Sequence, residues 1–411
     1  MHLLFISDTY PPLRTSGAQH MQDLALAAIA NGHLVTVVIP NSTQTTTQTA
    51  PVVVAHDKEV RVITVRADPS KDVSHILRTL AEWRNPYRMW QLLQSCPEFM
   101  QTDFALIVWY SPSIFWAPLV ARCKAHFACP AYLVLRDFFP DWAIHLGLLK
   151  KGLPYAFFKW VQKNQFTVAT WIGVQSPNNL DYFKLHYGQF ASKAEVLWNW
   201  IAPLKESVSF SETRQPCPID VSKTPLAGKM VLVYAGNMGL AQEVDVIIDL
   251  FAHLKDAPWA SNLGLLLVGR GSESARLQKR VQKAGLANIL FFDEIEPEAI
   301  VPLYTQCQIG VVLLDARHAS HNIPGKCLSY LQAGLPIFAR VNPGNDLLGM
   351  AQDLEIGSAT SSSSMLDLAK ALQGLVSRLE AGVQYKSQTQ ALAKERFAPQ
   401  RAITQITVHL Q

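Results

Sequence analysis

The stretch IPGKCLSYLQAGLPIFA, residues 323–339, places Lys326, Ser329 and Tyr330 three and four positions apart on one helical face, while Leu328 and Leu331 turn to a core. Asn322 suits the N-cap, Pro324 the first turn and Gly334 the left-handed residue past the end, and Pro336 forbids continuation. A lysine at the head of such a helix is a cation aimed at a sheet edge. Glycines supply the other positions with chemical potential. Gly17, the pair Gly236 and Gly239 with Asn237 between them, and the pair Gly269 and Gly271 flanking Arg270 each follow an apolar run and precede a helical one. Backbone N–H groups there can approach a ligand, and the helix N-termini behind them favour an anion, so a phosphate-bearing ligand is expected. None of these turns is a complete G-x-G-x-x-G, and no G-x-x-x-x-G-K-[ST] occurs, which disfavours a P-loop nucleotidase. In the first half, Arg136 and Asp137 close an apolar strand directly before FFPDW. Asp141 follows four residues on, and His145 four further along a helical segment.

Periodicity indicates the elements that must hold these residues. HLLFISD is a strand. A helix over about 19–31 carries Met21, Leu24, Ala25, Ala28 and Ile29 at helical spacing, Gly32 closes it, and HLVTVVIP is the next strand. That is a βαβ unit and implies a parallel sheet. Further strands are expected at VRVITVRA, DFALIVWYS, PAYLVLRD, WIGVQSP and AEVLWNW. The pattern restarts at KMVLVYAGNMG and alternates with helices through LGLLLVGRG, NILFFDEI, IGVVLLD and LPIFARV. Between the halves, SVSFSETRQPCPIDVSKT is polar, proline-bearing and aperiodic, and reads as a linker. The expected fold class is α/β, two doubly wound Rossmann-like domains in tandem. Their boundaries are 1–206, a linker 207–226, 227–393, and a last helix in 394–411. If the domains face one another, the glycine turns line one cleft.

The bulk numbers exclude several classes. With 411 residues, 49% of them hydrophobic, the chain can build two cores. Residues 1–200 hold 17 Lys+Arg against 13 Asp+Glu, too small an excess for a nucleic-acid-binding domain but compatible with an acidic partner. No run of about 18 apolar residues escapes a charge or a proline, so no membrane span is expected. MHLLFI lacks a cationic leader and reads as a first strand rather than a signal peptide. The six cysteines contain no C-x-x-C, so reduced thiols and no structural metal are expected. Two segments, 82–94 and 153–166, mix Trp, Tyr and Phe with Arg and Lys, a combination that suits a membrane interface.

Taken in order, FISDTYPP…SGAQ, LVLRDFFPDWAIHLG, VYAGNMGLAQEVD, LLLVGRG, GVVLLD and IPGKCLSYLQAGLPIFA resemble the retaining glycosyltransferases of family 4 over nearly the whole chain. Within them the sequence is most similar to bacterial surface-polysaccharide sugar transferases of the N-acetyl-fucosamine transferase type. The resemblance implies the GT-B fold, with the nucleotide-sugar donor, a UDP-sugar favoured, on the C-terminal domain. It places a glycan or polyprenyl-linked acceptor on the N-terminal domain. It implies a cytoplasmic enzyme and the final helix crossing back to the first domain; segments 82–94 and 153–166 would be what brings it to the inner face of the membrane. Lys326 falls where the family keeps a lysine near the donor diphosphate, able to neutralise charge on the leaving phosphate. Gly17, Gly236, Asn237, Gly239, Gly269, Arg270, Gly271, Ser329 and Tyr330 take the donor-side positions. Asp137 is the residue that accepts a proton from, or orients, the acceptor, with Arg136, Asp141 and His145 beside it. The absence of a D-x-D pair in a strand-end loop agrees with a metal-independent enzyme, and no covalent nucleophile is assigned. The chain departs from the family at Ser329 and His321, where two carboxylates are usual. Two alternatives therefore stand beside this reading. One is a weak or inactive member that binds glycans or scaffolds. The other is a nucleotide-sugar epimerase drawing on Asp293, Glu294 or Asp315.

Overall fold

The computed structural model describes residues 1–13, 15–41, 50–70, 73–204, 217–319 and 322–410. The chain divides into two compact units. The first comprises Met1–Ala202 and Ala398–Gln411, and the second Pro203–Phe397.

The first unit runs β1 (His2–Ile6), α1 (Ser16–Ala30), β2 (Leu34–Asn41), β3 (Val52–Asp57), β4 (Val60–Arg66), α2 (His75–Leu93), α3 (Pro97–Met100), β5 (Leu106–Tyr110), α4 (Ala117–Phe127), β6 (Ala131–Leu135), α5 (Asp141–His145), α6 (Leu153–Val168), β7 (Trp171–Val174), α7 (Pro177–His186) and β8 (Ala194–Val196). Its eight-stranded sheet has the order β3-β4-β2-β1-β5-β6-β7-β8. The central strands β5 and β6 are buried throughout, as expected of parallel strands covered on both faces. The expectation of a wholly parallel sheet is corrected at one edge. β3 pairs antiparallel with β4 through a turn at Lys58, whose φ is +56°, and its residues alternate between exposed and half-buried along most of its length, as befits an edge strand. α1 begins at Ser16, with the Thr15 hydroxyl accepting from the Ala18 N–H, so Gly17 lies inside its first turn rather than before it.

The second unit runs β9 (Met230–Ala235), α8 (Asp245–His253), β10 (Leu263–Val268), α9 (Ser274–Ala284), β11 (Ile289–Phe292), α10 (Pro297–Tyr304), β12 (Ile309–Leu313), α11 (Gly325–Ala333), β13 (Ile337–Arg340), α12 (Asp346–Asp353), β14 (Gly357–Thr360), α13 (Met365–Glu380) and α14 (Lys386–Arg396). Its sheet is parallel throughout, in the order β11-β10-β9-β12-β13-β14. Three details differ from the sequence reading. The tail of the expected linker is built into this unit: Ile219, Val221 and Leu226 are buried, and the Val221 N–H donates to Gln306 Oε1 at 2.8 Å. β11 stops at Phe292 and leaves Asp293 and Glu294 exposed in a loop. The N-cap of α11 is Pro324 rather than Asn322, whose carbonyl instead accepts from Asn345 Nδ2.

The last helix, α15 (Pro399–Val408), returns to the first unit. Its Ala402, Ile403 and Ile406 are buried in one cluster with Met21, Leu24 and Ala28 of α1. The six cysteines are all free thiols, and five are buried. Among the described residues no helix is long and apolar enough to cross a membrane, and no group of three or more His, Cys, Asp or Glu could hold a metal.

Candidate functional site

In parallel α/β sheets ligands bind beyond the carboxyl ends of the strands, and in the second unit that edge is built from two glycine turns pressed together. The Gly236 N–H donates to Val268 O, the Met238 N–H to Arg270 O, and the Gly269 N–H to Phe292 O, at 2.9–3.0 Å. A Cβ on Gly269 would sit 2.2 Å from the Gly236 carbonyl oxygen, and one on Gly271 2.3 Å from that of Met238. These glycines are therefore needed for turn-on-turn packing, and the donors expected to reach a ligand from Gly236 and Gly269 are already used. The Gly239 N–H is likewise taken by Gln242 Oε1 at 3.1 Å, which Asn237 Nδ2 also meets at 3.1 Å. Arg270 pairs with Glu294 at 2.7 Å on the exposed surface.

Lys326 is the unpaired charge at this edge. It is half-buried in the first turn of α11 and has no carboxylate partner among the described residues. Its Nζ lies 3.7 Å from the centre of the Tyr234 ring, and the same atom would be 3.7 Å from a Cβ placed on Gly236. The quadrupole of the Tyr234 face compensates the ammonium only in part, and desolvation lowers its pKa to about 7. An anion arriving beside the Gly236 turn would restore the charged form. Tyr234 was not anticipated as part of the site. It is held from behind, its hydroxyl donating to Asn237 O at 2.6 Å.

The other two residues of the helical face separate. Ser329 is half-buried and makes no side-chain hydrogen bond among the described residues. Tyr330 is fully buried, packed against Gly310, where a Cβ would lie 2.3 Å from its ring, and its hydroxyl accepts the Ala235 N–H at 3.1 Å. It supports the strand end and does not face a ligand. His321 lies outside the described residues. The acids named for an epimerase do not converge. Asp315 is buried but clamped by the Arg317 guanidinium, which outweighs burial and lowers its pKa, while Asp293 and Glu294 are exposed. Arg340, the last residue of β13, is buried and pairs with Glu243, the residue that turns the chain into α8 with φ of +47°. A lone arginine closing an apolar strand was the available signal for it.

In the first unit, Gly17 sits in a tight space: a Cβ there would lie 3.0 Å from Thr9 Oγ1 and 3.4 Å from the Tyr110 ring, so those side chains would have to give by a few tenths of an ångström. Arg136 and Asp137 are both half-buried at the carboxyl end of β6. Arg136 donates to Asn199 Oδ1, and its guanidinium stands 5.8 Å from the Tyr110 ring centre. His20, on α1, joins this group unannounced by any motif. Its Nδ1 is 3.4 Å from the Tyr110 hydroxyl, and burial, then the Arg136 charge, hold its pKa well below the usual range, so it is neutral. Asp141 has its carboxylate engaged within the protein. It is buried and accepts from Lys159 Nζ at 2.7 Å, from the Tyr155 hydroxyl at 3.1 Å and from Tyr187. It ties α5 to α6 and to Tyr187, the residue that ends α7. His145 is half-buried one turn beyond it, and burial lowers its pKa.

The two aromatic–basic segments lie in α2 and α6 and pack on each other. Trp83 meets Phe157 at 5.3 Å and Trp160 at 5.5 Å between ring centres. What stays outside is Leu153 at 88% exposure, Trp160 at 52% and Tyr87 at 37%. A cavity of about 200 Å³ in the second unit opens at the opposite, amino edge of the sheet, lined by Phe251, Lys255, Leu286 and Asn288 among others. None of the candidate residues borders it, so it is not where this chemistry is gathered.

Residues 219–390 match the family model described as "Glycosyl transferases group 1". This span contains both glycine turns and Lys326. The chain is 26% identical over 238 residues to the putative colanic acid biosynthesis glycosyl transferase WcaI of Escherichia coli (strain K12), covering 56% of this chain and 55% of that protein. The match thus spans about half of the relative's length. Among solved structures, the chain is similar to sucrose-phosphate synthase from Thermosynechococcus elongatus, with a TM-score of 0.72 and 13% identity over 99% of this chain and 98% of that one. It is also similar to HepE of Anabaena in complex with UDP-glucose, with a TM-score of 0.65 and 15% identity over 100% and 99%. The fold class is GT-B. That agrees with the class expected from the sequence, and the group 1 match falls within the second unit.

Proposed function

We propose that the chain is a retaining glycosyltransferase that moves a sugar from a nucleotide-diphospho-sugar, a UDP-sugar favoured, to a glycan or polyprenyl-linked acceptor in surface polysaccharide synthesis. The observation that carries this reading is Lys326: an unpaired, partly desolvated ammonium beside the Gly236 turn, inside the segment matched by the group 1 model. As the bond between sugar and diphosphate breaks, negative charge grows on the leaving phosphate, and a cation fixed next to it stabilises that charge more than the ground state. Lys326 supplies this without a metal ion. On the first unit, Arg136, Asp137, Tyr110 and neutral His20 offer the acceptor both donors and acceptors, with Asp137 positioned to take or share the proton of the attacking hydroxyl. Support from relatives is of two kinds: WcaI is named for colanic acid biosynthesis, and HepE is described with UDP-glucose bound.

A thermal-shift screen of the full chain against UDP, GDP, ADP and their sugars tests the donor class. Ligand at a hundredfold excess over its Kd adds about 2.7 kcal/mol to stability, so one nucleotide should raise the midpoint clearly, and Lys326→Ala should cut the shift at the same concentration to about a third. No shift with any of them would favour the second reading, a weak or inactive glycan-binding member. Ser329 motivates that reading, because its short neutral side chain stands where the family keeps a ribose-binding glutamate.

We further propose that the enzyme acts in the cytoplasm at the inner membrane face, docking through the exposed Leu153, Trp160 and Tyr87 with Arg84 beside them. Co-sedimentation with anionic liposomes should exceed that with neutral ones. Equal recovery in the supernatant with both would refute membrane docking.

A further inference from the structure

Beside the Lys326 corner, the carboxyl edge of the second sheet carries a group of two carboxylates and two guanidiniums. Glu243 stands in the chain after β9, and β12 lies between β9 and β13. Its carboxylate therefore crosses the end of β12 to pair with Arg340 at the end of β13. The Asp315 N–H, just past β12, donates to Ala241 O at 3.0 Å and pins this turn in place. Neighbouring strands are about 4.8 Å apart, so the group lies one to two strand spacings from Tyr234, the β9 residue whose ring holds the Lys326 ammonium.

Glu243 has φ of +47°, a conformation that a residue with a side chain adopts rarely and keeps only where its surroundings hold it. What holds it is Arg340, 2% exposed, whose guanidinium also donates to Leu314 O at 3.0 Å and to Ser363 Oγ at 2.9 Å. Were the glutamate there only to neutralise that charge, its carboxylate would be buried with it. Instead its side chain is 35% exposed, and Oε1 has no partner among the described residues. Arg317 adjoins it: the guanidinium pKa is raised first by the bonds to Asp315 and further by the Glu243 charge. Nε and Nη2 of Arg317 are spent on Asp315, whereas Nη1 has no partner among the described residues and the side chain is 61% exposed. The other polar groups of this corner are committed. Both Asp315 oxygens serve Arg317, Asn237 and Gln242 bond each other at 3.1 Å, and Asp245 is held by Arg276 and Arg280. His318 is half-buried, its N–H on the Asp315 carbonyl at 3.1 Å. One fixed acceptor and one fixed donor, both open to solvent, are what remains.

We propose that Glu243 and Arg317 bind hydroxyls of the sugar carried by the nucleotide donor and determine which sugar is accepted, with Arg340 positioning the carboxylate. Each hydroxyl of a sugar can give one hydrogen bond and take another, so neighbouring hydroxyls match an acceptor set beside a donor: Glu243 Oε1 accepts from one, and Arg317 Nη1 donates to the oxygen of the next. A phosphate would suit Arg317 but be repelled by Glu243, so the part of the ligand lying here is uncharged, and the diphosphate stays with Lys326. The proposal rests on the reading that the second unit binds a nucleotide-diphospho-sugar.

The test is calorimetric titration of the full chain with UDP-glucose, UDP-galactose, UDP-N-acetylglucosamine, GDP-mannose and ADP-glucose, each beside its parent nucleoside diphosphate. The quantity read is the Kd of the sugar nucleotide divided by that of its parent. For the sugar nucleotide that binds best, Glu243→Gln and Arg317→Lys should each raise that ratio about tenfold, the scale of one hydrogen bond to a charged group, with the parent diphosphate bound as before. Glu243→Gln leaves Arg340 an amide oxygen to bond, and Arg317→Lys keeps a cation on Asp315 while removing the free Nη1. Should the first variant fail to fold, the second, at a largely exposed position, decides alone. A ratio unchanged in either folded variant overturns the proposal. So does an equal weakening of sugar nucleotide and parent, which would make the group structural, and so does a wild-type chain that binds a diphosphate but no sugar nucleotide. If no diphosphate binds the wild-type chain, the donor reading itself fails and takes the proposal with it, an outcome distinct from diphosphates that bind with an unaltered ratio.

Discussion

Gly269→Ala costs the second unit about 4 kcal/mol and takes nucleotide binding with it. Two terms add. The native φ of +132° is closed to a residue with a side chain, at about 1–3 kcal/mol. The new methyl would also meet the Gly236 carbonyl oxygen at 2.2 Å and its carbon at 3.0 Å. Neither is a side chain that can swing away, so the overpacking adds about 1–3 kcal/mol. The sum approaches the whole stability of a domain, about 5–15 kcal/mol. Gly285→Ala is the comparison for a left-handed glycine without crowding: its φ is +63° and nothing lies within 4 Å of the added carbon. That substitution should cost about 1 kcal/mol. Urea unfolding of both variants decides the matter. Equal losses would mean that conformation alone, and not the pressed turns, makes Gly269 necessary.

Lys326→Ala weakens binding of the preferred nucleoside diphosphate by about 2 kcal/mol, roughly thirtyfold, the scale of one charge-assisted contact. A second effect follows from protonation. The folded pKa of Lys326 is lowered to about 7 by burial, whereas the unfolded chain keeps the ordinary value. Between those values the unfolded state binds more protons, so stability rises with pH across that window and the full penalty of the buried charge is felt below it. Lys326→Met should therefore raise the midpoint of the free protein, more at about pH 6 than at about pH 10. The bound diphosphate reverses the preference by favouring the ammonium. Above about pH 7, binding should take up close to one proton and weaken by up to about tenfold per pH unit. Calorimetry in two buffers of different ionisation enthalpy measures that uptake directly. Zero uptake at about pH 8.5 would show that the phosphates do not sit on this lysine.

Why some of this could be read from residues and some could not is visible at single positions. Lys326 was legible because its place in a helix is a matter of spacing, and a helix head in a parallel α/β unit lies at the carboxyl edge of the sheet. The glycine turns were legible as turns, and their purpose was not. Whether a backbone N–H points to a ligand or to the neighbouring turn depends on which strands lie side by side, and β9 and β10 are joined turn to turn by Gly236 to Val268 and Met238 to Arg270. Tyr330 shows the same gap. Helical spacing put it on the face of Lys326, but Gly310, twenty residues earlier in an unremarkable strand, leaves the hollow that draws the ring inward. Asp141 had the composition of a site residue. Its partners Lys159, on α6, and Tyr187, just past α7, stand at separations for which no pattern exists. His20 is a single residue in an ordinary helix, and only the crowding around its ring sets it apart.

The return of α15 to α1 also orders events in time. The face of α1 carrying Met21, Leu24 and Ala28 is covered in part by Ala402, Ile403 and Ile406. On a ribosome, every residue of the second unit is made before those three are. The nascent first unit must therefore wait with that apolar strip unsheltered while the whole second unit is completed, so a helix made well before the second unit is among the last to be covered.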